Sequence, residues 1–216
     1  MSGDSFATLL PRLQAALLGE SARLFNTPVF VAVRDLGTLT GYWATRRATD
    51  VRFTRLASRA DAVVQIGPCG ASLWMDPAAA GYRDAYARFL QDHWGAKAGL
   101  GGSGYDVDHV YNRARAIHYG YGLVRMFLVR AEANRAHGRS YEKQIGAAEA
   151  KRNAKTMKLL DGMSELKVLG LPPVRDGVLL REHREAALLA ARTYLIPLEA
   201  ALATLRALYA RAHPGE

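Results

Sequence analysis

The chain has 216 residues, half of them hydrophobic, so it can bury a sizeable core and is not expected to be disordered. Its 29 Lys and Arg residues against 20 Asp and Glu give a formal charge of +9, which favours a polyanionic partner, nucleic acid first. The single cysteine, Cys69, excludes an intramolecular disulfide and a cysteine-based structural zinc site.

The N-terminal segment does not have the pattern of a cleaved signal peptide. No basic stretch precedes its apolar residues, and Asp4, Arg12 and Glu20 interrupt them. No apolar run approaches the roughly 18–20 residues that span a bilayer. We therefore expect a cytoplasmic protein with no membrane partner. Export by a machine that needs no cleaved signal stays open, and so does the oligomeric state.

The first part of the chain predicts helices at both ends of a β-rich region, residues 21–78. Apolar spacings of three and four predict a helix over 5–18, which Pro11 either bends or shortens at its start. Helical spacing returns over 77–94. Between these, β-branched runs and turn residues predict strands over 29–33, 51–56 and 62–66 and a turn region over 36–41.

Residues 95–104 are rich in glycine and contain the run GLGGSG. A phosphate-binding loop would need a following Gly-Lys-Ser/Thr, and a dinucleotide-binding loop would open a helix. Neither condition is met, because the next element reads as a strand. A flexible connector is the favoured interpretation.

The central stretch from Gly104 predicts a strand, a second strand and a helix. The first apolar run carries Asp108 and His109, the second covers 123–129, and the helical segment that begins near residue 131 carries Asn134 and His137. This order brings a carboxylate, an imidazole and an amide to the ends of neighbouring elements. Asp108 and His109 point to opposite faces of a regular strand, so they reach one cavity only at a strand end or a bulge.

These residue types suit phosphodiester hydrolysis. A histidine titrates near neutrality, so His109 is the candidate general base that takes a proton from water. Asp108 and Asn134 offer the hard oxygen donors that Mg²⁺ or Mn²⁺ prefers. Asp106 shares a strand face with Asp108 and is expected to support it.

The stretch from Tyr105 to Lys143 resembles the HNH or ββα-metal endonucleases. YDVDH followed by a helix that opens with an NR dipeptide is similar to the HNH domain of RNA-guided CRISPR effector nucleases, and VRMFLVRAEANRAHG is similar to endonuclease VII-type resolvases. The resemblance implies a ββα-metal core in which Asp108 and Asn134 hold one divalent metal and His109 is the base. His137 is expected as a further metal ligand or a phosphate contact, with a solvated helix residue as the alternative.

Basic residues surround this motif and continue beyond it. Lysines at 143, 151, 155 and 158, with Ala147, fall at spacings that stack along one helix face within 141–160. Such a stripe contacts nucleic acid or is simply a solvated face. The candidate nucleic-acid contacts are Arg113, Arg115, Arg135, Arg139, Lys143, Lys151 and Lys155.

The C-terminal part predicts two helices over 176–192 and 193–213, or one helix kinked at Pro197. Its apolar side serves an intramolecular core or a partner helix. We expect an α+β chain with an N-terminal helix and β-rich region (1–94), an HNH-like nuclease core (95–160) and a helical region (161–216) that is either separate or one compact unit with the core.

The expected function is a metal-dependent endonuclease acting on DNA, with RNA left open. Two alternatives remain. One is a non-catalytic DNA-binding protein that retains the HNH fold, and the other is a delivered toxin-type DNase that an immunity protein neutralises. The chemistry of the toxin is that of the first hypothesis, and only its partner differs.

Overall fold

The computed structural model describes most of the chain up to Gly170 and a few residues beyond it. The described residues are 5–23, 29–45, 50–57, 59–96, 104–144, 156–160, 162–170, 188, 191, 192, 197, 199, 200 and 203.

Six helices and seven strands are described. The helices are α1 (Phe6–Arg23), α2 (Leu36–Thr45), α3 (Tyr82–Trp94), α4 (Arg113–His118), α5 (Ala131–Gln144) and α6 (Gly162–Val168). The strands are β1 (Phe30–Val33), β2 (Arg52–Arg55), β3 (Ala62–Gly67), β4 (Gly70–Met75), β5 (Tyr105–His109), β6 (Leu123–Arg130) and β7 (Met157–Leu159). The α+β class expected from the sequence is confirmed as a mixture of helix and strand.

The strands form one antiparallel sheet in the part of the chain that is described. Its order is β2-β3-β4-β6-β1-β7, and β5 also pairs with β6. The first residues of β6 pair with β1 and β4, and the rest of the strand, from Met126 to Arg130, pairs with β5. Every β6 residue except Arg130 is buried, because helices cover the sheet around it. This explains the continuous apolar character of its sequence.

Two apolar cores flank the sheet. The larger one joins α1, through Leu9 and Leu13, to α3, through Tyr86 and Phe89, and it reaches β5 at Val107. The smaller one lies under α2 and includes the indole of Trp74. A long apolar face on α1 and another on α3 therefore fix the sheet from which β5 extends.

The region 36–41, predicted as a turn, is the first half of α2. The side chain of Asp35 accepts a hydrogen bond from Thr38 N at 2.7 Å, which caps the helix and lowers the pKa of the Asp35 carboxyl. Leu39, Tyr42 and Trp43 are buried at helical spacing. The glycines in this segment favour a turn, so the helical spacing of its apolar residues was not recognised from the sequence.

Residues 141–160 do not form the single helix that their lysine spacing predicts. The described part of α5 reaches Gln144, and Met157–Leu159 is a strand that pairs with β1. Lys158 therefore lies on β7, with its ammonium 5.4 Å from the centre of the Tyr111 ring, and is not part of a helical lysine stripe. Pairing with β1 overrides the local helical pattern, because it completes the hydrogen bonding of that strand's edge.

The sheet crosses the predicted limit between residues 94 and 95, since β6 pairs with β1 and β4. The three predicted regions stay a prediction, but the described strands of the first two belong to one sheet. The predicted C-terminal helices over 176–213 fall almost wholly outside the described residues. Among the described helices, none is long and apolar enough to cross a bilayer.

Candidate active site on strand β5 and helices α5 and α6

Two antiparallel strands, connected in the chain through α4, lead into helix α5 and hold the candidate residues. β5 pairs antiparallel with β6, from Tyr105 opposite Arg130 to His109 opposite Met126. β6 runs into α5 without an intervening residue, and Ala131 N donates to Gly104 O at 3.0 Å. This bond ties the start of α5 to the start of β5. The first turn of α5 consequently lies beside the carboxylates of β5.

Asn134 of α5 contacts Asp106 of β5. Its Nδ2 donates to Asp106 Oδ2 at 3.1 Å. Because this bond uses the amide nitrogen, the amide oxygen keeps its lone pairs for a cation. Asp106 and Asp108 are two residues apart on a strand, so both carboxylates project from the same face. Asn134 and the two acids therefore share one side of β5, although the direct contact of Asn134 is with Asp106 and not with Asp108.

Asp108 forms an ion pair with Lys167 of α6. The Nζ of Lys167 contacts Asp108 Oδ2, and the side chains are 5% and 25% exposed, respectively. Helix α6 packs on α5 and β6, and its last turn is fixed by a hydrogen bond from Gln14 Nε2 to Val168 O at 3.2 Å. A buried lysine thus supplies a positive charge to the carboxylate face of β5.

His109 lies on the opposite face of β5 and packs against α3. Its residue is 4% exposed, and its ring centre lies 4.8 Å from that of Tyr82 at an interplanar angle of 60°. Val110 N donates to Arg125 O at 3.0 Å, so the ladder with β6 continues past His109 without a bulge. The strand alternation therefore holds, and the side chains of Asp108 and His109 diverge.

The imidazole of His109 is neutral at cellular pH. Burial, followed by the positive charges of Arg113 and Lys167, lowers its pKa from 6.5 to about 4. Within the described residues, the buried Nε2 atom of His109 has no hydrogen-bond partner. The ring is therefore a proton acceptor whose pKa is lowered by two cations, one of which, Lys167, also pairs with Asp108.

The donor atoms near Asp108 suit a small hard cation. Two carboxylates and an amide oxygen are the ligand types that Mg²⁺ and Mn²⁺ take, with water completing the coordination. No group of three or more His, Cys, Asp or Glu side chains within the described ranges is arranged to hold a metal. A site built on Asp108 and Asn134 would thus use few protein ligands, and Lys167 already contacts one of them.

The other predicted site residues have different surroundings. His137 of α5 is 1% exposed, which excludes the solvated alternative. Arg113 donates from Nε to Pro77 O at 2.7 Å and lies close enough to His109 to lower its pKa. Arg115 is half-buried and Arg135 is exposed. Arg139 and Lys143 lie on α5 with side chains outside the described part, and Lys151 and Lys155 lie wholly outside it.

Three residues of this region were not found from the sequence. The ring of Tyr82 contacts that of His109 at a tilt, Lys167 pairs with Asp108, and Glu165 is buried on the same helix as Lys167. Alternating Glu-x-Lys charges inside the short apolar segment 162–170 were the available signal, since charged residues of this kind are rarely buried unless paired.

Comparison of the chain with models of protein families, with curated proteins and with solved structures gives no match.

Proposed function

We propose that the chain is a metal-dependent endonuclease that hydrolyses DNA phosphodiester bonds at the face formed by β5 and α5. The observation that carries the proposal is the hydrogen bond from Asn134 to Asp106. It joins the first turn of α5 to the carboxylate strand β5, next to the Asp108–His109 pair. The pairing of β5 with β6 ahead of α5 supports the strand–strand–helix order that the HNH-like motif of the sequence predicts, although α4 lies between the two strands in the chain.

His109 is the general base in this proposal. Its neutral ring can accept a proton from water at cellular pH, and Nε2 is the atom with that capacity. Tyr82 packs its tilted ring against the imidazole and so limits the rotation of His109. A bound phosphate would offset the positive charges of Arg113 and Lys167 and so raise the pKa of His109, while the effect of burial, the largest cause of the lowered pKa, would remain. Substrate binding would thereby make His109 a stronger base.

Asp108 and the amide oxygen of Asn134 are the proposed ligands of one Mg²⁺ or Mn²⁺ ion. Such an ion neutralises the charge that develops on the phosphate and stabilises the leaving oxygen. Asp106 orients Asn134 by accepting the hydrogen bond from its amide nitrogen. Because His109 projects from the other face of β5, the substrate phosphate would have to sit at the end of the strand, where both faces are within reach.

The basic residues near the strand end would bind the phosphates of the substrate. Arg113 is anchored through Nε to the Pro77 carbonyl, which leaves its two terminal nitrogens to donate to phosphate oxygens. Arg135 is exposed on the first turns of α5. With a formal charge of +9, the chain should bind DNA with an affinity that falls steeply as salt increases.

The test is cleavage of supercoiled plasmid in Mg²⁺ and in Mn²⁺. His109→Ala should lower the rate roughly 10²–10⁴-fold, the range of general-base catalysis. Asn134→Ala should require more metal for the same rate. His118→Ala is the matched control, because His118 is an exposed histidine on α4, and it should cut as the wild type does. Undiminished cutting by His109→Ala would remove the mechanism, and a parallel assay with single-stranded RNA separates the two substrates.

One observation favours a second candidate, a DNA-binding protein without catalysis. Lys167 neutralises Asp108, the residue on which metal binding depends. Salt-dependent DNA binding with no nicking in either metal would support this candidate. The toxin-type nuclease shares the chemistry of the first proposal. Growth arrest with loss of DNA on expression, relieved by a neighbouring gene product, would identify it.

A further inference from the structure

Lys167 is a fixed and buried cation on the carboxylate face of the site. Its residue is 4% exposed, and its Nζ contacts Asp108 Oδ2. Helix α6 gives it little freedom, because Leu169 N donates to Glu165 O and the side chain of Gln14 binds Val168 O. The last turn of α6 is therefore anchored to α1, and Lys167 is directed at β5 from a defined position.

A lysine in this position competes with a metal ion for the same carboxylate. A buried ammonium needs a partner, since its transfer from water is costly without one. Asp108 is the partner that the ion pair supplies. A divalent ion on the same carboxylate would come close to the ammonium, and like charges a few ångströms apart repel strongly in a partly buried site. Asp108 therefore cannot bind the ammonium and a divalent ion tightly at the same time.

We propose that Lys167 is a built-in competitor of the metal: its ammonium holds Asp108 in the metal-free protein and is displaced from it when a divalent ion binds. This rests on the proposed function, because it takes Asp108 as a metal ligand. The ion pair keeps the carboxylate neutralised and oriented until the metal arrives. It also weakens metal binding, so the site fills only when the concentration of the free ion is high enough to displace the lysine.

The first experiment measures Mn²⁺ binding to the full-length chain by electron paramagnetic resonance, without DNA. The variants are Lys167→Met, which removes the charge and keeps the apolar stem, and Asp108→Asn. Lys158→Met is the matched control, because Lys158 lies on β7 over the Tyr111 ring. Lys167→Met should bind Mn²⁺ at least about tenfold more tightly than the wild type, given the repulsion that is removed. Lys158→Met should bind as the wild type does.

The outcomes separate this inference from the proposed function. If Asp108→Asn loses Mn²⁺ binding but Lys167→Met binds no more tightly than the wild type, the competition is refuted and the metal site stands. If Asp108→Asn binds Mn²⁺ as the wild type does, the metal site and the competition both fall.

A second measurement uses only the wild-type protein, so it does not depend on whether a variant without Lys167 folds. The side-chain ammonium signals of the wild-type protein are recorded by NMR during a titration with Mg²⁺. A buried and paired ammonium exchanges slowly and gives a separate signal, and the displacement predicts that this signal moves or disappears as the site fills. A buried ammonium signal that is unchanged at saturating Mg²⁺ would overturn the proposal.

Discussion

Acid should destabilise this protein through His109 in particular. The pKa of His109 is lowered to about 4 in the folded chain, whereas an unfolded histidine keeps a value of 6.5. Below pH 6.5 the unfolded state therefore binds a proton that the folded state refuses, and the free energy of unfolding falls until the pH reaches about 4. The stabilisation is thus fully present above pH 6.5 and is lost as the pH falls through this window.

The structure sets the size of this effect. The gap between 6.5 and about 4, at about 1.4 kcal/mol for each pH unit, amounts to between about 3 and 4 kcal/mol, and about 3 kcal/mol of it is lost by pH 4, where the folded state is half protonated. The side chain is almost completely buried, so solvent does not screen this contribution away. The free energy of unfolding of the wild type should consequently fall by about 3 kcal/mol more between pH 7 and pH 4 than that of His109→Gln, which cannot titrate.

Urea unfolding at pH 7, 5.5 and 4 measures this difference. Carboxylates also titrate over this range, but they do so in both proteins, and the comparison cancels them. His118→Gln is the control, because it removes an exposed histidine and should retain the full pH dependence of the wild type. Equal pH dependence in the wild type and His109→Gln would refute the reasoning that burial and two neighbouring cations keep this imidazole neutral.

Two further predictions concern the ring contact and the hairpin of the sheet. Tyr82→Leu removes the tilted ring contact with His109 and should lower kcat roughly tenfold with little change in KM, since aromatic pairs contribute about 1 kcal/mol and the imidazole would lose its orientation. Equal kcat in steady-state plasmid cleavage would contradict this. Gly70→Ala should destabilise the fold by about 2 kcal/mol in urea unfolding, because φ is 121° and a Cβ would lie 2.8 Å from Trp94. Gly41→Ala, with nothing within 4 Å on helix α2, should be neutral or stabilising, and a similar loss in both variants would refute the steric argument.

Elements with a clear period or a β-branched run were predicted from the sequence. The helix at 5–18, the strands near 29–33, 51–56 and 62–66, and the helix ending at Trp94 all appear, with ends shifted by a few residues. The two apolar runs of the central motif are the paired strands β5 and β6. Burial on a shared sheet dictates these patterns, so they are visible without long-range information.

The missed elements depended on caps and turns that a periodicity scan does not weigh. Helix α4 is only six residues long, and it is defined by Asn112, whose side chain accepts from Arg115 N, and by Gly120 with a positive φ. Strand β4 follows the two-residue turn Pro68–Cys69, and no strand after 62–66 was predicted from the sequence in this region. In both places the local signal was present in the turn residues.

The sequence predicted which residue types form the candidate site, but not which of these residues contact one another. Asn134 was expected at Asp108, and it bonds Asp106 instead, because the register of β5 against α5 decides which acid it meets. Lys167 lies 59 positions after Asp108, and nothing in the sequence relates the two. Contacts of this kind depend on how α6 docks on the sheet. The roles of His109, Asp108 and Asn134 in catalysis stay a prediction.

The central claim is that Asp108 and Asn134 share a divalent ion at the end of strand β5. A crystal grown with Mn²⁺ and measured at the manganese edge tests it most directly. The account predicts an anomalous peak within coordination distance of a carboxylate oxygen of Asp108 and of Asn134 Oδ1, with the ammonium of Lys167 moved away from Asp108. An anomalous peak bound only to other residues, or none at saturating Mn²⁺ with the Lys167–Asp108 pair intact, would contradict it.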